Sequence, residues 1–515
     1  MPTLAPARTV QVVAAPGARH DEILTPAALD FLGALVAAFG ERREWLLRER
    51  RRQAHRLAAG IRLDFPLVTT PVRTDPAWRV APPAPGLAER HVELVGPPTP
   101  EAAAAAYGSG ASTWTADFED ATSPTWHTVL DGHLLLKDLA RTPRAGERPT
   151  LVVRPRGWHL DEAHLEYDGR PVPAALADFA LFFFHNAKPL VEAGHGPYFC
   201  LPKLENRYEA RLWNDVFLLA QELTGLPAGT VRASALIETI TAAMEMEEIL
   251  HELRAHSSGL IAGRWDYLFS LIKTFGHRTD FLLPDRARLP MTAPFLRAYT
   301  ELLVRTCHRR GAHAIGGMAA QAPEGGPEAV EAALAEVRRD KEREAEDGFD
   351  GSWVAHPGLV PVGRDVFRGV LGDRPHQLDR GRDDVEVRAA ELLAVPRLTG
   401  APGPEGVRGS VALAVRYFDR WLGGTGLLDQ GGLIADAATA EIARTQIWQW
   451  LRHGAVSRET VERHVEEELT ALADEGADSD PATVRELFAA TALGPELPLF
   501  FTRYGYDTYL APRAV

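Results

Sequence analysis

Several runs of apolar residues end in charged side chains, and these side chains are the strongest chemical signal in the sequence. Arg154 follows the run LVV, Glu238 follows ALI, and Asp266 lies in the run GRWDY. A charged group at the end of an apolar strand costs desolvation free energy unless an ion pair or a metal compensates it. Two carboxylates from neighbouring strands form a hard oxygen site that suits Mg²⁺ with several retained waters. The sequence therefore predicts a Mg²⁺ site made by Glu238 and Asp266.

The run DFED places Asp117, Glu119 and Asp120 at the end of another candidate strand, where they add acidic groups near this site. Each charged residue taken alone has a simpler interpretation: an ion pair with an arginine, a brace for a loop, or a solvated turn. Their joint placement favours a functional cluster. The helical residues Glu245, Glu247 and Glu248 are predicted to form a solvated face instead.

The elements that would position these groups alternate between short apolar strands and longer helical segments, which is typical of β/α units. Barrel enzymes place their functional groups at the carboxyl ends of such strands. Seven candidate strands can be recognised, and a (β/α)₈ barrel needs an eighth. They cover residues 112–120, 150–157, 198–204, 231–239, 260–270, 312–320 and 351–359.

Helical patterns flank this region on both sides. Thr25-Pro26 reads as an N-cap with proline at the first helical position and opens a helical region to about residue 58. Only helical patterns follow the Pro/Gly-rich stretch at 398–409, and the glycine-rich segment 423–432 is predicted to be a connecting loop. The expected fold is α/β: a TIM barrel at 96–398 with an N-terminal helical segment at 1–95 and a C-terminal helical domain at 399–515.

Composition excludes several classes of partner. The 515 residues include 56 Lys and Arg against 70 Asp and Glu, a net charge of −14 that disfavours nucleic acid and anionic membranes. The arginine-rich run at 42–52 is predicted to be a solvated helix face. Only Cys200 and Cys307 occur, both expected to be buried thiols, and no long apolar segment or N-terminal leader is recognised, so a cytoplasmic location is expected.

Motifs for other chemistries are missing from the sequence. It has no Walker-type loop, no GxGxxG between a strand and a helix, and no G-x-S-x-G elbow. Nucleotide-driven chemistry and a serine nucleophile therefore lack support.

The segment 254–269, RAHSSGLIAGRWDYLF, resembles the signature of the A-type malate synthases. Further blocks resemble this family in the same order along the chain: ADFEDATSPTW, VRPRGWHL, GPYFCLPK, LIETITAAMEM, LPDR, GGMAA, GSWVAHPGL and DAATAEIARTQIWQW. The resemblance implies a TIM barrel with a C-terminal helical plug domain. It also implies a Mg²⁺-dependent condensation of acetyl-CoA with glyoxylate, followed by thioester hydrolysis to malate and CoA in the glyoxylate cycle.

Carried onto this sequence, the resemblance implies that Glu238 and Asp266 bind Mg²⁺, that Arg154 is the catalytic arginine and that Asp436 is the catalytic base. Asp436 also precedes AATAEIA, where an aspartate is a natural helix N-cap. Both interpretations hold together. The direction in which its pKa moves is not set by the sequence, because a helix N-terminus lowers the pKa of a carboxyl group and apolar burial raises it.

The resemblance gives supporting roles to four other residues. Glu119 and Asp120 correspond to groups that orient metal-bound water, and the backbone around Gly263 and Trp265 corresponds to a site for the glyoxylate carboxylate. The segments 316–318 and 356–358 are candidate contacts of CoA. A homo-oligomer is compatible with the sequence but not indicated by it.

The sequence departs from the family pattern at three positions. Ala255 stands where an acidic or amide residue is usual, Ile261 where Asn is usual, and Ala435 where Glu commonly precedes the base. Two other hypotheses remain at this stage: a related lyase acting on CoA thioesters, and a metal-binding scaffold without activity. The long C-terminal region that contains Asp436 favours the synthase.

Overall fold

The computed structural model describes residues 9–15, 17–142, 149–395, 398 and 402–511. Its strands are β1 (Gln11–Val12), β2 (Val92–Gly96), β3 (Thr113–Asp117), β4 (Thr150–Arg154), β5 (Asp161–Tyr167), β6 (Arg170–Pro173), β7 (Tyr198–Leu201), β8 (Arg232–Ile237), β9 (Ser257–Ala262), β10 (Ala314–Ala319), β11 (Gly351–Val354), β12 (Leu428–Gln430) and β13 (Leu433–Ala435).

Its α-helices are α1 (Pro26–Ala58), α2 (Thr70–Thr74), α3 (Pro100–Ser109), α4 (Trp126–Arg141), α5 (Ala174–Glu192), α6 (Arg207–Thr224), α7 (Ile240–Ala243), α8 (Met246–Glu252), α9 (Arg264–Phe275), α10 (Pro294–Arg310), α11 (Pro327–Asp347), α12 (Val360–Leu371), α13 (Ala389–Leu392), α14 (Pro404–Leu422), α15 (Ala437–Arg452), α16 (Arg458–Glu475), α17 (Pro481–Phe488) and α18 (Phe501–Gly505). No helix within the described ranges is long and apolar enough to span a bilayer.

Eight parallel strands close into a barrel in the order β2, β3, β4, β7, β8, β9, β10 and β11. The predicted (β/α)₈ fold is confirmed. The strand that sequence reasoning missed is β2, whose five residues are all buried. It lies between two Pro/Gly-rich stretches that resemble a linker, and the predicted boundary at residue 95 falls inside it. The barrel therefore begins at Val92, a few residues before that boundary.

The N-terminal region packs outside the barrel. Helix α1 begins as predicted, with Thr25 accepting a hydrogen bond from the amide of Ala28 at 3.2 Å. The prediction of a solvated arginine face is wrong at two positions, because Arg43 and Arg50 are buried. Arg43 donates to the carbonyl oxygens of loop residues after β4, and Arg50 pairs with Glu209 on α6. Their partners lie more than a hundred residues away, so the local charge pattern did not reveal them.

The C-terminal region has a hydrophobic core of its own, formed mainly by α14 to α17. The sequence predicted only helices and a connecting loop here, but residues 428–435 form the antiparallel hairpin β12–β13. Its turn residues Gly431 and Gly432 have φ of 62° and 78°, which suits the left-handed two-residue turns of β-hairpins. Each strand has only three residues, too few to show an alternating pattern. The predicted boundary at 399 lies outside the described residues.

Helix α15 attaches the C-terminal region to the barrel mouth by packing along α9. The Nε1 atom of Trp450 donates to the carbonyl oxygen of Leu283 at 2.9 Å, and Oε1 of Gln449 accepts from the Leu283 amide at 3.1 Å. Because both side chains bind the backbone that follows α9, the last turn of α15 is tied to the barrel region.

Candidate active site

The acidic turn after β3 is folded around Asp117. Its buried carboxylate accepts hydrogen bonds from the amides of Glu119 and Ala121 at 2.9 and 2.8 Å, and from that of Asp120 at 3.3 Å. A carboxylate that binds successive amides in this way fixes a turn. The DFED segment is therefore buried, and the interpretation of a solvated turn is wrong. Asp117 directs Glu119 and Asp120 into the barrel mouth.

Arg154 ends the neighbouring strand β4 and is also buried. Its Nε atom donates to Oδ1 of Asp117 at 2.6 Å, Nη2 donates to Oδ2 of the same residue, and Nη1 lies 2.9 Å from Oδ2 of Asp120. The bidentate pair fixes the plane of the guanidinium. Burial alone lowers the pKa of Arg154, but the charges of Asp117 and Asp120 outweigh it and raise the pKa well above its ordinary value.

Trp353 lies behind Arg154 inside the barrel. The guanidinium carbon of Arg154 is 5.4 Å from the centre of the Trp353 ring, within the range of a cation–π contact. The indole Nε1 donates to Oε2 of Glu93 at 2.7 Å, and Glu93 forms a buried ion pair with Arg90. Arg154 is therefore held by carboxylates at its edge and by an anchored aromatic ring on one face.

The predicted metal ligands lie on adjacent strands. Glu238 follows β8, and Asp266 is in the first turn of α9 directly after β9. Both are almost fully buried. Burial and the nearby Asp266 raise the pKa of Glu238 well above its ordinary range. Burial also raises the pKa of Asp266, although Lys203 opposes this change. Two buried carboxylates that repel each other in this way are suited to a cation between them.

The pair fits Mg²⁺ by the chemistry of its donors. Within the described ranges, no group of three or more His, Cys, Asp or Glu side chains is arranged to hold a metal ion. Mg²⁺ does not need such a cage, because it usually keeps several waters and binds through one or two carboxylates together with substrate oxygens. Glu238 and Asp266 supply two oxygen donors without a nitrogen or sulfur competitor.

Gly263 and Trp265 form the start of α9 beside these carboxylates. A Cβ atom at Gly263 would lie 2.8 Å from Cβ of Glu238, so a larger residue would displace the predicted ligand. Gly263 is the N-cap and has no side chain to cap the first amides of the helix. No side-chain cap for these amides is present among the described residues, and together with the positive end of the helix they favour an anion. Trp265 is half-buried, with the guanidinium of Arg264 stacked 4.3 Å from its ring centre.

Lys203, in the loop after β7, is a site residue that sequence reasoning missed. Its Nζ lies 2.7 Å from Oδ1 of Asp120, 3.2 Å from Oε1 of Glu119 and 3.2 Å from Oδ2 of Asp266. Glu119 also accepts from the amide of Gly157 at 2.6 Å. A single lysine after LP carries no local signal of this role, and only the strand order of the barrel brings it to the acidic cluster.

The pKa values of Glu119 and Asp120, two of the carboxylates beside Lys203, shift in opposite directions. Burial raises the pKa of Glu119 to about 7, against the opposing charge of Lys203. Asp120 is also buried, but Lys203 and Arg154 together hold its pKa below the ordinary value. Asp120 therefore remains ionised near neutral pH, and its carboxylate pairs with both cations of the site, Arg154 and Lys203.

Asp436 reaches this cluster from the C-terminal region. It is the N-cap of α15, and its Oδ1 accepts hydrogen bonds from the amide of Thr439 at 3.0 Å and from the Thr439 hydroxyl at 2.8 Å. Burial and the charge of Asp120 raise its pKa to about 6. No hydrogen bond to Oδ2 is recorded in the described part of the chain. The N-cap interpretation is confirmed, and one carboxylate oxygen remains available for a second task.

The hairpin β12–β13 seats Asp436 by pairing with the segment that follows β10. The amide of Ile434 donates to the carbonyl of Ala320, and that of Ala322 donates to Gly432, both at 2.8 Å. The hydroxyl of Tyr417 adds a bond of 2.8 Å to the carbonyl of Gly426. The hairpin is thus fixed to the segment at the carboxyl end of β10. Asp436 follows the last strand of the hairpin directly.

Not all of the remaining predicted positions lie at the acidic cluster. Ala255 is exposed two residues before β9, at the end of the strand opposite to the site, while Ile261 is buried in the barrel interior. Ala435 is buried directly before Asp436. Residues 316–318 lie within β10 and residues 356–358 follow the neighbouring strand β11, and their role as contacts of CoA stays a prediction.

The prediction of a solvated face at the start of α8 is wrong. Glu247 and Glu248 are buried, and Glu245 is half-buried. Each binds an arginine from a distant segment: Glu245 with Arg207, Glu247 with Arg310, and Glu248 with Arg73. These carboxylates fasten α8 to neighbouring elements and lie outside the acidic cluster.

Comparison with known protein families gives matches over most of the chain. Residues 8–70 match the model described as malate synthase, N-terminal domain, and residues 150–395 match malate synthase, TIM barrel domain. Residues 402–508 match malate synthase, C-terminal.

Curated relatives extend over nearly the full length. A malate synthase of Streptomyces clavuligerus is 54% identical over 474 residues, which cover 88% of each chain. A malate synthase of Myxococcus xanthus is 45% identical and covers 96% of this chain and 95% of its own. The malate synthase of Oryza sativa is 44% identical over 94% of this chain and 92% of its own.

Among solved structures, a Haloferax volcanii malate synthase in a ternary complex with pyruvate and acetyl-CoA is similar, with a TM-score of 0.49 and 16% identity. The match covers 78% of this chain and 98% of that one.

Proposed function

This chain belongs to the malate synthase family, and on that premise we propose which of its residues perform the reaction. Malate synthases condense acetyl-CoA with glyoxylate and release malate and CoA. The proposal rests on one observation above all: Asp436, Arg154, Glu238 and Asp266 come from separate elements and lie around Asp120, which pairs with Arg154 and whose charge acts on the other three.

Asp436 is the proposed base. The methyl protons of acetyl-CoA are weakly acidic, so their removal needs a close base whose pKa lies near the working pH. A pKa of about 6 leaves Asp436 ionised at neutral pH and more basic than an exposed aspartate. Thr439 holds Oδ1, so Oδ2 is the atom that takes the proton.

Arg154 is the proposed group that stabilises the enolate oxygen. Asp117 accepts two of its five N–H groups and Asp120 pairs with a third on Nη1, which leaves one N–H on Nη1 and one on Nη2 for the substrate. A guanidinium stays protonated throughout the reaction, and its position is fixed before the charge develops. The enolate carbon then attacks the aldehyde carbon of glyoxylate, and the new carbon–carbon bond gives malyl-CoA. Hydrolysis of its thioester releases CoA.

Glu238 and Asp266 are the proposed Mg²⁺ ligands, and Glu119 and Asp120 are the proposed acceptors for water on the ion. When bound, Mg²⁺ supplies a Lewis acid that orients glyoxylate and polarises its carbonyl. The amides at the start of α9, next to Gly263 and Trp265, are the proposed site for the glyoxylate carboxylate. With its carboxylate at these amides, glyoxylate would have its aldehyde at the carboxyl end of the barrel strands, where Arg154 and Asp436 lie.

We also propose a cytoplasmic location. Cys200 and Cys307 are free and buried, and burial raises the pKa of both thiols well above the ordinary value. Their free state rather than a disulfide is what supports a reducing compartment. Cell fractionation with a cytoplasmic marker tests this placement.

Release of CoA thiol tests the proposed activity. The purified chain is incubated with acetyl-CoA and Mg²⁺, with and without glyoxylate, and free thiol and malate are measured. We expect thiol and malate in equal amounts only when glyoxylate and Mg²⁺ are both present, and none after chelation. Malyl-CoA that accumulates without free thiol would indicate the related lyase reaction instead.

A further inference from the structure

Lys203 contacts both proposed Mg²⁺ ligands with different parts of the same residue. Its backbone amide donates to Oε1 of Glu238 at 2.6 Å, and its Nζ lies 3.2 Å from Oδ2 of Asp266. The ammonium also pairs with Asp120 and Glu119. The side chain is only 4% exposed, so these carboxylates rather than solvent balance its charge.

The backbone at Lys203 has the geometry of a residue held in place by its surroundings. Its φ is +53°, in the left-handed region that a residue with a Cβ atom seldom adopts. Such a conformation persists where neighbouring contacts fix it, and it is common at functional sites. Here the carbonyl oxygen of Lys203 accepts from Nη2 of Arg50 at 2.9 Å while the amide binds Glu238. The left-handed turn lets one residue reach both ligands.

A buried ammonium at this place has two electrostatic effects. It offsets the repulsion among Glu119, Asp120 and Asp266, which stabilises the site without a metal. It also repels any divalent cation bound to Asp266, because two positive charges within a few ångströms interact strongly in a site with little water. A residue that only fastened a loop would have the first effect and not the second.

We propose that Lys203 is a positioning residue whose fixed positive charge keeps the carboxylates assembled and weakens Mg²⁺ binding before glyoxylate arrives. This inference rests on the Mg²⁺ site assigned under the proposed function. Glyoxylate adds a negative charge to the site, so it offsets part of the repulsion that Lys203 exerts on the ion. Mg²⁺ and glyoxylate then favour each other's binding by the same factor, as linkage requires.

The test compares four proteins: wild type, Lys203→Met, Lys203→Gln and the control Lys273→Met. Lys273 is a half-buried lysine that pairs with Glu205 at 2.7 Å, outside the acidic cluster. Mg²⁺ binding is titrated by calorimetry at pH 8 without glyoxylate, and melting temperatures are measured in chelator. For both Lys203 variants we expect a Kd for Mg²⁺ at least about tenfold lower than that of wild type, together with a lower melting temperature in chelator. The Kd of Lys273→Met should equal that of wild type.

The proposal predicts that the Lys203 variants bind Mg²⁺ more tightly and melt at a lower temperature in chelator. A purely structural role predicts only the lower melting temperature. If the Lys203 variants bind Mg²⁺ with unchanged or weaker affinity, the proposal is overturned. A variant that folds only when Mg²⁺ is present supports it, because the ion then replaces the lost charge. One that stays unfolded with Mg²⁺ counts against it. If wild type itself binds no Mg²⁺, the proposed metal site fails before the role of Lys203 is reached.

Discussion

The backbone amide of Ala437 donates a hydrogen bond of 3.1 Å to the carbonyl oxygen of Asp120. This bond ties the first residue of α15 to the acidic turn after β3. The side chain of Asp120 meanwhile pairs with Arg154 and Lys203. One residue of the barrel therefore sets the position of the proposed base, through its backbone, and of two cations, through its carboxylate.

The close approach of the C-terminal region to this turn predicts a sensitive position at Gly426. A Cβ atom there would lie 2.3 Å from the carbonyl oxygen of Ala121, a contact that only a backbone shift can relieve. We expect Gly426→Ala to lower kcat by about tenfold or more, because a shift of about 1 Å at a site can cost that much. Gly409→Ala on α14 is the control, since among the described residues no atom beyond its chain neighbours and its own helix backbone lies within 4 Å of the new methyl group. Equal turnover in the two variants would show that the approach at Gly426 does not position the base.

Trp353→Phe tests the aromatic support of Arg154. Phenylalanine keeps an aromatic face but loses the N–H that binds Glu93, so the ring is no longer anchored. Loss of a buried contact of this kind should lower kcat by about tenfold and change the KM for acetyl-CoA little. Trp213→Phe is the control, because Trp213 is buried and its N–H has no partner among the described residues. Steady-state kinetics of the two variants decide between a role for the anchor and a general effect of tryptophan loss.

Arg154→Lys keeps a positive charge and loses the planar fork that Asp117 holds. We expect kcat to fall on the order of 10²-fold, with a smaller change in KM, if the guanidinium acts mainly on the enolate. Initial rates at varied acetyl-CoA and glyoxylate separate the two constants. Normal kcat with a raised KM would instead indicate that Arg154 only binds substrate.

Alanine at Glu238 or Asp266 should weaken Mg²⁺ binding and remove most of the activity. Each substitution also removes one of two buried carboxylates that repel each other, so the melting temperature in chelator should stay equal or rise. Calorimetric titration with Mg²⁺ and thermal melting in chelator measure both quantities. A variant with the same Mg²⁺ affinity as wild type would remove that residue from the proposed ligand set.

The pH dependence of activity should follow Asp436. A base must be ionised, so turnover should rise with pH through about 6 and level off above it. The effect on stability has the opposite sign. The folded-state pKa lies above the ordinary aspartate value of 3.8, so folding favours the protonated form, and this residue makes a contribution to stability that is lost as pH rises from about 4 to about 6. Asp436→Asn should remove this part of the pH dependence of the melting temperature.

The sequence predicted the barrel and most of the site because strong local patterns coincide there. Apolar runs ending in Arg154, Glu238 and Asp266 are visible without a structure, and parallel strands bring their ends together. Strand β2 was hidden by the prolines and glycines around it. Features set by distant partners were missed as well.

Three of these missed features show why local patterns were insufficient. The role of Lys203 depends on its contacts with carboxylates that follow other strands of the barrel. The acidic run predicts a solvated Glu248, but Glu248 is buried in an ion pair with Arg73 on a distant segment. The direction in which the pKa of Asp436 shifts depends on its burial at the end of a hairpin whose strands are too short to recognise.

The Asp436→Asn variant tests the central assignment most directly. Asparagine is as good an N-cap as aspartate, so the start of α15 should be retained and the melting temperature at pH 8 should change little. The amide cannot accept the methyl proton, so turnover should fall on the order of 10²-fold or more, and exchange of deuterium into the methyl group of acetyl-CoA should fall with it. Near-normal turnover with an unchanged melting temperature would contradict the account and place the base on another residue.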